Sequence, residues 1–90
     1  MESTLSDLKG WHIIGPRVLD LYDLYQSPDE TRLAVIHPQD EDVVLIMDHD
    51  TGYAEYIHPT TRRGLERMGL TVPQFIKLLK AAWSEDGQMP

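Results

Sequence analysis

Four histidines and fifteen carboxylates give this 90-residue chain most of its scope for chemistry. His37 and His58 each sit between an isoleucine and a proline, in Ile36-His37-Pro38 and Ile57-His58-Pro59. Proline ends a strand's ladder and biases the residue before it to extended geometry, so the echo marks two strand ends. In an antiparallel meander both histidines reach the same edge, two strand spacings or ~10 Å apart. That separation is marginal for sharing one metal ion. Asp48-His49-Asp50 falls at the opposite hairpin tip and lacks the ligand count of a dedicated hard-cation site. Turn chemistry alone accounts for those aspartates. No metal and no cofactor is expected. The chain has no cysteine, no Gly-x-Ser-x-Gly elbow and no phosphate-cradling glycine loop. Nothing places a base beside a nucleophile, so no catalytic residue is assigned and the chain is read as a binding protein, not an enzyme.

The carboxylates carry more weight. Asp29 and Glu30, Asp40 to Asp42, and Asp48 with Asp50 crowd the turn segments between extended runs. Such an acidic face steers toward basic partners. The candidate partner-binding residues are Asp29, Glu30, Asp40, Glu41, Asp42, Asp48 and Asp50. Trp11, Tyr22, Tyr25, Tyr53 and Tyr56 supply the aromatic anchors that interfaces favour. The expected function is a small cytoplasmic inhibitor or adaptor that binds a protein with a basic surface. Mimicry of nucleic-acid charge is one form of it.

Composition narrows the setting. Eight Lys and Arg stand against fifteen Asp and Glu, a net charge of −7. A small chain without cysteine is neither a disulfide scaffold nor a thiolate metal site, and fits a reducing compartment. The longest apolar run, Val43 to Met47, has five residues, far short of the ~18 a membrane span needs. The opening Met1-Glu2-Ser3-Thr4 has no basic region and no long apolar stretch, unlike a secretory signal. One domain over residues 1–90 is expected, with 84–90 as a frayed polar tail.

The elements follow from pattern. Thr4 and Asp7 form a capping-box pair that starts a short helical segment over 5–9, with Gly10 as its stop. Trp11 to Ile14 reads as a brief extended piece. Residues 16–26 fit a helix better, with Val18, Leu21, Tyr22 and Tyr25 on one face and Asp20 and Asp23 opposite. The rival is a strand joined to the next through Ser27-Pro28-Asp29-Glu30. Thr31 to His37, Val43 to Asp48 and Tyr53 to His58 read as three sequential strands, the last two joined by the Asp48-to-Gly52 turn. Thr60 caps a helix over 61–68, stopped by Gly69. Thr71 and Gln74 form a second capping box. Val72, Phe75, Ile76, Leu79 and Trp83 then line one apolar face. The fold class is α+β: an antiparallel meander of three strands, four or five if 16–26 is extended, packed by C-terminal helices. An exposed edge strand offers a route to a homodimer.

The helical end supports one alternative. Helix, Gly69-Leu70-Thr71, helix resembles the tight turn of a helix-turn-helix. Leu65, Leu70, Phe75 and Leu78 stand at that motif's inter-helix core offsets. Residues 1–59 carry 3 basic and 12 acidic side chains, whereas 60–83 carry 5 basic and 1 acidic. The acidic total thus hides a basic end. In a DNA-binding regulator, Arg62, Arg63, Arg67 and Lys77 would contact phosphates and Gln74 a base edge. Against this, the second helix opens with few polar readers, and the acidic sheet repels DNA.

Overall fold

A computed structural model describes residues 4–18 and 21–83. A single 3-10 turn, Leu5–Asp7, precedes β1 (His12–Val18), β2 (Tyr22–Gln26), β3 (Arg32–Ile36), β4 (Val43–Asp48) and β5 (Ala54–Ile57). Helices α1 (Pro59–Met68) and α2 (Val72–Trp83) follow. The five strands form one antiparallel sheet in sequence order. The α+β class and the meander hold, extended to five strands by two strands N-terminal to the three.

Those two strands correct the helical reading of 16–26. The helical face would have gathered Val18, Leu21, Tyr22 and Tyr25; instead the chain alternates. Tyr22 meets the ring of Phe75 edge-on at 6.0 Å, and Leu24 is buried in the same core. Tyr25 points to the opposite face of the sheet. Asp23, which interrupts the strand pattern, accepts a hydrogen bond from the Arg17 N–H at 3.1 Å and so ties β1 to β2. Arg17 takes a left-handed φ of 57° there, and register shifts flank Gly15. Pro16 sits on this edge strand, where its missing N–H costs no ladder bond. Leu19 and Asp20 lie outside the described residues, as does the 84–90 tail.

The main core lies between one sheet face and the helices. Leu24, Leu33, Val35, Leu45 and Met47 from the sheet meet Leu65 of α1 and Phe75, Ile76 and Leu79 of α2. Trp83 closes this layer against β1, with its ring over Gly15. At the other end of the sheet, the Lys80 ammonium donates to the His49 carbonyl at 3.3 Å. The amphipathic stripe of α2 thus binds sheet, as its spacing predicts. Leu78 is the exception among the helix-turn-helix offsets. It stays 49% exposed, because α2 turns its apolar face to the strands.

The second sheet face is covered differently. Ala34, Ile36 and Val43 are buried there under Leu5, Leu8 and Trp11, beside Tyr25, Ile46 and Tyr56. The Arg32 guanidinium sits 5.4 Å from the Trp11 ring and 3.7 Å from the Glu55 carboxylate. Thr4 and Asp7 behave as their spacing predicts: the Asp7 carboxylate accepts from the Thr4 N–H at 2.9 Å. The helical segment is shorter than 5–9, being a single 3-10 turn.

Helix boundaries shift only slightly. His58, not Thr60, caps α1: its Nδ1 accepts from the Thr60 N–H at 3.1 Å, and Pro59 takes the first helical position. Proline is at home there because that N–H would be unpaired in any case. Gly69 ends α1 with φ 74°, a left-handed conformation that glycine adopts without steric penalty. Both capping-box bonds of Thr71 and Gln74 form, at 2.8 and 3.2 Å. Among the described residues no helix is long and apolar enough to cross a membrane.

Candidate functional site

The meander sends alternate turns to opposite ends of the sheet, and this divides the seven candidate carboxylates. Asp29, Glu30, Asp48 and Asp50 lie at one end, where the His49 N–H bonds the Thr31 carbonyl at 2.8 Å. Asp40, Glu41 and Asp42 lie at the other end, on the turn between β3 and β4.

At the first end, two carboxylates are committed to the fold. Asp29 accepts from the Ser27 hydroxyl, the Thr31 hydroxyl and the Thr31 N–H, at 2.7, 2.7 and 3.1 Å. The Ser27 and Thr31 hydrogen bonds lower its pKa to about 2, from an ordinary 3.8. Asp48 accepts from the N–H groups of Thr51 and Asp50, both at 2.9 Å, and these bonds hold its pKa below the usual range. Such Asx turns explain why aspartate occupies both places. A consequence is measurable. A carboxylate depressed on folding adds stability that is present above its unfolded pKa and is lost as pH falls through the folded value. Asp29 therefore contributes to acid sensitivity between about pH 4 and pH 2. Asp29→Asn should flatten the stability–pH profile in that window and leave its shape above pH 5 unchanged. Urea titrations at half-unit pH steps would read this out.

At the second end the carboxylates have a different status. The turn is closed by backbone bonds: the His37 N–H to the Asp42 carbonyl at 3.0 Å and the Glu41 N–H to the His37 carbonyl at 2.7 Å. Glu41 takes a left-handed φ of 59°. Among the described residues no side chain takes part in that closure, and of the three carboxylates Asp40 alone approaches an ionisable side chain, with an oxygen 3.8 Å from His37 Nδ1.

Two depressions flank this turn. One, of about 260 Å³, is lined by His37, Asp40, Asp42, His58, Thr60 and Thr61, with Val44 at its base. The other, of about 430 Å³, is lined by Arg17, Leu21, Asp23, His37, Pro38 and Gln39. His37 is common to both. The two histidines thus meet at one edge of the sheet, as their Ile-His-Pro settings predict. Among the described residues no group of three or more His, Cys, Asp or Glu is placed to hold a metal ion. Arg17, Leu21 and Asp23 were missed as site residues, because a helix over 16–26 would scatter what the antiparallel pairing of β1 and β2 gathers. The paired period of Tyr22 and Leu24 is the signal that could have found them.

The basic candidates lie on the helices. Arg62, Arg63 and Arg67 are exposed on α1, and Gln74 and Lys77 are exposed on α2. Among the described residues, none of the four cations forms an ion pair. The Gln74 side-chain oxygen accepts from the Thr71 N–H in the α2 cap, which ties back the one side chain proposed to read a base. Of the aromatic anchors, Tyr53 is 70% exposed. Tyr22, Tyr25, Tyr56 and Trp11 are part-buried and pack on the two cores. Burial also raises the pKa of Tyr22.

No family model, no curated protein and no solved structure matches this chain.

Proposed function

We propose that this protein is a non-enzymatic cytoplasmic inhibitor or adaptor whose Asp40-Glu41-Asp42 turn binds a basic surface on another protein. The observation that carries the reading is the division of labour among the carboxylates. Asp29 and Asp48 hold turns together, whereas the 40–42 turn is closed by its backbone. Among the described residues Glu41 and Asp42 make no side-chain bond and Asp40 only the 3.8 Å approach to His37, which suits steering and orienting a cationic partner. The flanking depressions offer relief into which apolar parts of that partner fit, beside the exposed Leu21.

Affinity capture from a host extract, with mass spectrometry, would supply the partner. The test is then Asp40→Asn, Glu41→Gln and Asp42→Asn together. At low salt the triple variant should bind about tenfold or more weakly, and its affinity should depend less on ionic strength. Glu30→Gln with Asp50→Asn, at the far end, should change affinity less than about twofold. Equal affinity of the triple variant and the parent at low salt would reject the proposal.

One observation favours a second reading. Arg62, Arg63, Arg67 and Lys77 are exposed without ion pairs among the described residues, which suits contact with nucleic-acid phosphates. A mobility-shift titration with genomic fragments separates the readings. A shift lost on Arg63→Ala with Arg67→Ala supports this second one.

A further inference from the structure

Two histidines stand at the acidic turn, and a proton would change what each does there. His58 caps α1 through Nδ1, which accepts from the Thr60 N–H at 3.1 Å. An accepting ring nitrogen carries no proton, so Nδ1 is bare while the cap stands. Helix caps are ordinarily Ser, Thr, Asp or Asn, whose oxygens still accept in mild acid. An imidazole is different. Protonated on both nitrogens it only donates, and it sets a positive charge at the positive end of the helix. His58 lines the depression of about 260 Å³ with His37, Asp40 and Asp42, the titratable side chains that face it there among the described residues. His37 Nδ1 is buried without a hydrogen-bond partner among the described residues, 3.8 Å from an Asp40 oxygen. On its other side His37 lines the larger depression with Arg17 and Asp23. The remaining histidines lie at the far end of the sheet, where His12 pairs with Gln26 and the His49 N–H bonds Thr31.

We propose that this depression is a proton-operated control on the acidic turn. In mild acid His58 releases the α1 cap and, with His37, places positive charge beside Asp40 and Asp42, which weakens docking of a basic partner there. Ordinary carboxylates, lysines and arginines keep their charge between about pH 5.5 and about pH 7.5, so histidine is the side chain that acts in that window. The carboxylates draw protons onto the imidazoles, and the cap bond resists them. The groups that steer the partner thus also set when the cap breaks. The coupling runs in both directions. Cations of a docked partner compete with the imidazolium for Asp40 and Asp42, and so keep His58 neutral and α1 capped. This inference rests on the acidic turn being the partner-binding site, and it supplies the condition under which that site lets go.

Amide NMR of the full chain, titrated from about pH 7.5 to about pH 5.5, reads the cap directly. The Thr60 amide resonance should move together with the His58 ring signals. His58→Asn supplies a cap that does not titrate and should hold that resonance still. With Asp40→Asn, Glu41→Gln and Asp42→Asn together, the midpoint should move to lower pH, because the carboxylates no longer favour the imidazolium. A six-lysine peptide is the probe for docking. At low salt it should bind the parent at least about threefold more tightly at the higher pH than at the lower, and His37→Gln with His58→Asn about equally at both. A Thr60 resonance that stays still in the parent, or moves equally in His58→Asn, overturns the cap release. An unmoved midpoint in the triple variant overturns its link to the turn. Equal peptide binding by the parent at both pH values overturns the control of docking. The Thr60 titration needs no partner, so the two readings fail separately. Peptide binding that is absent at the higher pH, or that the triple variant keeps, rejects the acidic-turn reading even where the cap titrates.

Discussion

Leu79→Ala should cost about 2–5 kcal/mol of folding stability, whereas Leu78→Ala, one residue earlier on the same helix, should cost less than about 1 kcal/mol. Leu79 is 1% exposed and lies in the layer between α2 and the sheet. Its truncation removes apolar burial and leaves a cavity that strand residues fill only in part. Leu78 is 49% exposed and loses little. A domain of this size holds roughly 5–15 kcal/mol in all, so the first change removes a large share of it. Urea unfolding should show a lower midpoint for Leu79→Ala with an unchanged slope. The pair also reads the architecture. Two helices packed on each other in helix-turn-helix fashion would make Leu78 the sensitive position and reverse the order.

The second large effect belongs to Gly15. A methyl group at this position would meet Trp83 Cδ1 at 2.8 Å and Nε1 at 3.0 Å. Contacts this short must be relieved by moving the indole or the edge strand. Overpacking of this kind costs about 1–3 kcal/mol. Gly15→Ala should therefore destabilise by that amount in the native background. In a Trp83→Leu background only the milder approach to Val18 Cγ2 at 3.3 Å remains, and the cost of Gly15→Ala should fall below about 1 kcal/mol. A double-mutant cycle by chemical denaturation measures the coupling. Additive costs would place the strain on Val18 instead of Trp83.

The parts legible in the sequence were those where local chemistry and burial agree. The Asp48-to-Gly52 turn, the Gly69 stop and the Thr71–Gln74 box each rest on two or three neighbouring residues, and each forms as its composition dictates. The apolar stripe of α2 was readable for the same reason, because one face supplies all its anchors. Residues 16–26 were misread because β2 is lined on both faces. Tyr22 and Leu24 face the helices, Tyr25 lies on the face covered by Leu5, Leu8 and Trp11, and two-sided burial imitates a helical stripe over so short a span. Asp23 deepened the ambiguity, since its role is a hydrogen bond to Arg17 that no local pattern announces. Long-range placement was likewise hidden. The seven carboxylates look like one face along the chain, although the meander already sends Asp48 and Asp50 to the tip opposite His37 and so divides them between two ends. The cover on the second sheet face was hidden because Leu5, Leu8 and Trp11 acquire meaning only from Ala34, Ile36 and Val43, far along the chain.

The order of the sheet has a consequence for how the chain is made. Each strand pairs with the one synthesised just before it, so hairpins can close as residues emerge from the ribosome. The layer that shields Leu33, Val35, Leu45 and Met47 belongs to α2, which is completed only at Trp83. During elongation a nearly finished sheet therefore presents a bare oily surface to its surroundings. Translation speed over the last strand and the helices sets how long that surface stays open to nascent neighbours or chaperones.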